Sequence, residues 1–175
     1  MPHFAFSSIN PSYTREIITD AYISMPSKNA GLGNGQLVKV LALWDTGATN
    51  SVVTPHIISQ LGLKPDGVAQ STHAGGVSLV NTYLVDIALP NKILLPGVRV
   101  SECAEQNGRF DIIVGMDIIS LGDFSVTGPA NRRMVSFCAP TAMNIDYVLF
   151  LKQLNQQAAM MMQTNTPEGL AQEKE

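Results

Sequence analysis

One carboxylate in this sequence sits where chemistry is plausible on local grounds, in Asp45-Thr46-Gly47-Ala48. The apolar run Leu41-Ala42-Leu43-Trp44 precedes it, and Val52 and Val53 follow a short polar stretch. An apolar strand thus delivers Asp45 into a tight turn, and the chain then returns to apolar sequence. A carboxylate held this way is a proton-transfer group at a backbone reversal. The tripeptide Asp-Thr-Gly alone arises by chance on the order of a few per cent of the time in a chain of this size. The aliphatic frame on both sides, and a helix signal that begins at Thr54, give it weight.

Other groups offer less. Gly31-Leu32-Gly33-Asn34-Gly35 has the look of a phosphate-cradling loop, but a dinucleotide fingerprint must open a helix, and this cluster leads into extended-looking sequence at 36–43. It reads as a turn. Cys103 and Cys138 are far apart, without CxxC spacing or a neighbouring histidine, and read as packed thiols. His3, His56 and His73 stand singly, so no metal site is expected. No GxSxG supports a serine hydrolase, and the lysine of a DKTG phosphoryl-transfer motif is absent.

The elements around Asp45 are short and mostly extended. Residues 1–14 show no clear period and read as an N-terminal arm. Strands are expected over 17–25 and 37–43 from their β-branched and aliphatic content. The segment 54–62 carries helix punctuation: Thr54 as N-cap, Pro55 at the first helical position, and Gly62 as the stop. Residues 77–89 read as a strand with Tyr83, Val85, Ile87 and Leu89 on one side. The stretch 93–100, broken by Pro96-Gly97, reads as a bent or edge strand. Residues 109–114 are a further strand candidate, followed by a brief helix ending at Gly122. Segments 124–127 and 132–137 flank a hairpin turn at Gly128-Pro129-Ala130-Asn131. Many short strands with glycine-rich turns point to a mainly β domain over 15–140. Beyond it, 141–175 reads as a weakly amphipathic helix to about Met162 and then a disordered polar end.

A length of 175 residues suits one domain with tails. A formal charge of -3 and 45% hydrophobic residues describe a globular protein with no general attraction for nucleic acid or anionic lipid. With no basic leader and no run of roughly 20 apolar residues, a cytoplasmic, non-membrane protein is expected.

Asp45-Thr46-Gly47-Ala48 behind its hydrophobic strand, together with Ile112-Ile113-Val114-Gly115-Met116-Asp117-Ile118-Ile119, resembles the retropepsin family of aspartic proteases, including its single-domain bacterial relatives. The second stretch is similar to that family's element of aliphatic residues, glycine and short helix. Each half of the chain also repeats strand, glycine turn, short helix and glycine stop. The resemblance covers roughly residues 17–137. It implies a retropepsin-like acid protease fold, closed and barrel-like with a pseudo-twofold, and an aspartic endopeptidase that needs neither metal nor cofactor.

In such enzymes two carboxylates lie so close that both cannot ionise together, so the pair holds one proton and works as acid and base. Only one Asp-Thr-Gly is present, and no Asp-Ser-Gly. The resemblance therefore implies a homodimer whose two-fold axis brings Asp45 from each copy together. It assigns Thr46, Gly47 and Ala48 to support of that turn, and Ile112, Ile113, Val114 and Gly115 to the second hydrophobic-glycine element. A substrate flap falls on Thr72, His73, Ala74, Gly75, Gly76 and Val77. The implied partners are a second copy of the chain and a peptide or protein substrate. Met116 departs from the pattern, since many retropepsins carry arginine there to help fix the dimer. Trp44 is bulkier than the aliphatic residue common at its position, and either fills the core or shapes a substrate pocket. A second reading is a catalytically silent dimeric peptide-binding or scaffolding module of the same fold.

Overall fold

A computed structural model of the chain describes residues 2–10, 15–26, 37–73, 76–103 and 109–164. The glycine cluster at 31–35 and the polar end from 165 lie outside the described residues. The chain divides into two compact units, Met1–Ala142 and Met143–Glu175.

The first unit runs β1 (Phe4–Asn10), β2 (Ile18–Ser24), β3 (Val38–Trp44), β4 (Val52–Val53), α1 (Pro55–Leu61), β5 (Gly67–His73), β6 (Gly76–Leu89), β7 (Ile93–Glu102), β8 (Ile112–Val114), α2 (Met116–Ile119), β9 (Asp123–Thr127) and β10 (Arg133–Ala139). Strands β2, β3, β8, β4, β7 and β6 neighbour one another in that order, and β6 returns to pair with β2, closing a six-stranded barrel. The expected mainly β fold with a closed barrel and short helices is found. Strand β5 extends β6 outside the ring, and β1, β10 and β9 form a separate antiparallel sheet.

Alternation along the strands builds the barrel wall. In β3, Val38, Val40, Ala42 and Trp44 are buried while Lys39 and Leu41 face out. In β2, Thr19, Ala21 and Ile23 are buried and Asp20 points outward, where Lys39 meets it at 2.8 Å. That exposed pair adds little stability. Burial of Ile23, Val40, Val85, Ile87, Ile112 and Val114 supplies the main driving force, at about 25 cal/mol per Å² of apolar surface removed from water.

Three local expectations change. The arm read over 1–14 contains β1, whose Phe4–Asn10 pairs in full with β10. Polar Ser7 and Ser8 hide its period, but Phe6 is buried against Phe137 and Trp44, at ring separations of 6.5 and 6.0 Å. Strand β7 is bent but interior, lying between β6 and β4. Its Pro96-Gly97 falls where the register with β6 shifts, between Val85 and Ile87. Gly97 adopts φ +62 there and donates its N–H to Oδ1 of buried Asp86 at 2.8 Å, so a bulge absorbs the proline. Thr54 has the extended backbone of an N-cap but makes no side-chain cap bond, and its buried Oγ1 has no hydrogen-bond partner. Pro55 and the left-handed Gly62 do bound α1 as expected.

The second unit contains α3 (Tyr147–Thr164), close to the helix expected from the sequence. Asp146 caps it, its Oδ1 accepting the N–H groups of Val148 and Leu149 at 2.9 and 3.1 Å. Consecutive Leu149, Phe150 and Leu151 spread apolar surface around the helix rather than along one stripe. Among the described residues no helix is long and apolar enough to cross a membrane.

Candidate active site

Asp45 leaves the end of β3, and its position follows from the strands on either side. Strand β8 lies between β3 and β4, parallel to the first and antiparallel to the second. The chain therefore passes along β3, turns at Asp45, and returns in β4 on the far side of β8. The N–H of Asp45 continues the parallel ladder by donating to Val114 O at 3.0 Å. Ala48 N–H donates to Asp45 O at 3.2 Å and closes the turn.

Within the turn, Gly47 N–H donates to Asp45 Oδ1 at 2.8 Å. A Cβ on Gly47 would lie 3.2 Å from that oxygen, so a side chain there would press on the carboxylate. Asp45 is half-buried, whereas Thr46 and Gly47 are exposed, so the loop presents its carboxylate at a surface rather than sealing it in the core.

The second hydrophobic-glycine element holds this turn from behind. Met116 N–H donates to Ala48 O at 2.8 Å and Asp117 N–H to Thr49 O at 3.2 Å. Gly115 N–H donates to Ser51 Oγ at 3.0 Å, and the Ser51 hydroxyl donates to Asp117 Oδ1 at 2.8 Å. Gly115 is needed for space and not for conformation: its φ of -91° is open to any residue. A Cβ there would stand 2.7 Å from Asn50 C and 2.8 Å from Asn50 O, closer than atoms tolerate. Ile112 and Val114 are buried and anchor the element to the barrel.

Asp45, Thr46, Gly47 and Ala48 are therefore brought together with Ile112, Ile113, Val114 and Gly115. The residues named for a flap lie elsewhere, on the β5–β6 hairpin. Thr72 and His73 end β5, Gly76 and Val77 begin β6, and His73 opposite Gly76 is the last pair of that hairpin. Ala74 and Gly75 are outside the described residues. Farther down the hairpin, Asp66 accepts the Thr82 hydroxyl at 2.7 Å and Arg99 Nε at 3.1 Å. The Thr82 hydrogen bond, aided by the Arg99 charge, holds the Asp66 carboxyl below its ordinary range.

Trp44 belongs to the core. It is 5% exposed, stacks on Phe124 at 5.1 Å and 9°, meets Phe137 at 5.1 Å, and donates its indole N–H to Thr19 Oγ1 at 2.9 Å. One residue from Asp45, it thereby ties the turn to both sheets. The Ser51–Asp117 bridge was not anticipated. Its signal was a serine directly before Val52-Val53 and an acid in the first turn after Gly115, each unremarkable until the two are brought together. Among the described residues no group of three or more His, Cys, Asp or Glu gathers as a metal would require.

The model of the aspartyl protease family matches residues 31–118, just over half of the chain. Among solved structures, a retropepsin-like aspartic protease from Rickettsia conorii is similar at 13% identity and a TM-score of 0.48, over 79% of this chain and 96% of that one. None of the curated proteins matches.

Proposed function

This chain belongs to the aspartyl protease family, and on that premise we propose that it is an aspartic endopeptidase whose active site forms when two copies associate and each contributes Asp45. The observation that carries the reading is the Asp45 turn itself. One carboxylate is fixed by Gly47 N–H, braced from behind by Gly115, and left partly open to solvent at the end of β3. A single such turn supplies half of the acid and base pair. A two-fold axis beside Thr46 and Gly47 supplies the other half, because both residues are exposed and Gly47 has no side chain to hold a partner away.

In the assembled pair one Asp45 carboxylate takes a proton from water as the oxygen attacks the peptide carbonyl carbon. The protonated Asp45 of the other copy gives its proton to the carbonyl oxygen. Collapse of the resulting diol breaks the C–N bond as the nitrogen gains a proton, and the pair is restored. In this scheme the β5–β6 hairpin covers the peptide.

The test compares wild type with Asp45→Asn on a diverse peptide mixture across a range of pH, with molar mass measured in solution alongside. Wild type should cleave as a dimer, and Asp45→Asn should lose at least about 100-fold in rate while keeping the dimer. Equal cleavage by both proteins removes Asp45 from the mechanism.

A further inference from the structure

A cavity of about 560 Å³ opens between the β5–β6 hairpin, the end of β7 and the start of α1. Its volume is in the range of sites that hold small groups of a ligand. Val68, Leu79, Val80 and Pro55 give it apolar walls, and Glu102 with Asn81 gives it one polar side. Val68 and Leu79 are 65% and 78% exposed.

The carboxylate of Glu102 is held in place. Its Oε2 accepts the Tyr83 hydroxyl at 3.2 Å and the Asn81 amide N–H at 3.1 Å. Tyr83 is buried, and burial followed by the Glu102 charge pushes its phenol above the ordinary value, so it remains a donor. Among the described residues Glu102 makes no ion pair. An acceptor oriented by two hydrogen bonds, and without an ion pair among the described residues, thus lines a trough with exposed apolar side chains.

The trough is linked to the Asp45 turn through neighbouring strands, from β7 across β4 and β8 to β3. Cys103, also on its wall, donates its N–H to Val53 O at 2.9 Å, and Val53 pairs with Ile112. Two residues along β8, about 7 Å at the usual strand rise, Val114 O accepts the Asp45 N–H. Three strand spacings of about 4.8 Å each separate β7 from β3 across this path, a span that several residues of an extended peptide cover.

Resting on the proteolytic reading above, we infer that this trough is a substrate subsite that selects a lysine or arginine side chain, with Glu102 as the specificity-determining residue. The methylenes of such a side chain lie along Val68, Leu79 and Val80, and its charged head meets the Glu102 carboxylate. A neutral apolar side chain fills the walls but leaves the oriented carboxylate without its cation.

The experiment uses two matched peptide sets that differ only in lysine or its uncharged isostere norleucine, scanned through each position around the cleaved bond. Wild type should favour lysine at one position by at least about tenfold in kcat/KM. Glu102→Gln, which retains an acceptor for Tyr83 and Asn81, should erase that preference. Glu102→Lys should turn the preference toward glutamate. Binding of the same peptides to the Asp45→Asn chain, followed by chemical shifts at Val68 and Leu79, provides a readout that needs no catalysis. Lysine-selective binding without cleavage by wild type would keep the subsite and overturn the proteolytic reading. Cleavage with no lysine preference, or one that survives Glu102→Gln, overturns the subsite; so does the absence of both cleavage and lysine-selective binding.

Discussion

Replacing Gly115 with alanine adds one methyl group at the place where the second hydrophobic-glycine element touches the Asp45 turn. The added Cβ falls 2.7 and 2.8 Å from the carbonyl carbon and oxygen of Asn50, and 3.0 Å from Ala48 O. These are backbone atoms, so no flexible side chain can swing aside. Overpacking of this kind costs about 1–3 kcal/mol. If the turn moves away, the bonds from Gly115 N–H to Ser51 and from Met116 N–H to Ala48 weaken with it, at about 1 kcal/mol each. The expected loss of stability is about 2–4 kcal/mol, read from the midpoint and slope of urea unfolding. Cleavage by the folded fraction should fall by at least about 100-fold, the scale expected when reacting groups shift by about 1 Å. Gly62→Ala is the control. Gly62 has φ +61 with nothing within 4 Å of an added Cβ, so alanine there meets left-handed strain alone, about 1–2 kcal/mol, and leaves cleavage intact. Wild-type stability and wild-type kcat/KM in Gly115→Ala would refute the close approach as the reason for glycine.

Two further perturbations test the surroundings of the turn. Ser51→Ala removes the acceptor for Gly115 N–H and the donor to Asp117, and the buried N–H left behind should cost about 1–3 kcal/mol in thermal or urea unfolding; an unchanged midpoint would show the bridge to be dispensable. Asp66→Asn tests the hairpin through pH. Because Thr82 and Arg99 lower the carboxyl of Asp66 in the folded chain, its stabilisation is present above the unfolded value near about 4 and is lost as pH falls through the lower folded value. Wild type should therefore lose stability as pH falls below about 4 more steeply than Asp66→Asn, and parallel acid unfolding curves would contradict the assignment.

Several parts of this protein were legible in the sequence because their signals are local. The apolar run into Asp45, the proline and glycine that bound α1, and the alternation of Tyr83, Val85, Ile87 and Leu89 depend on residues within a few positions of one another. The likeness to retropepsins rested on two such stretches, and the family match spans both. Phe4–Asn10 escaped notice because its serines interrupt the period, and only β10 on the opposite side makes it a strand. Pro96-Gly97 looked like the end of a ladder, but the Asp86 carboxylate lets the ladder pass through a bulge.

The sequence by itself determined which carboxylate stands in a turn, which residues alternate, and where α1 starts and stops, since each is a matter of backbone preference and period. Tertiary structure alone decided that β8 slides between β3 and β4, that Gly115 must be bare because Asn50 lies against it, and that Glu102 faces a trough bordered by Val68 and Leu79. The physical reason is separation along the chain. Asn50 and Gly115 meet, and Val68 and Glu102 border one cavity, because the barrel closes around Ile112 and Val114, and neither member of a pair carries a local mark of the other.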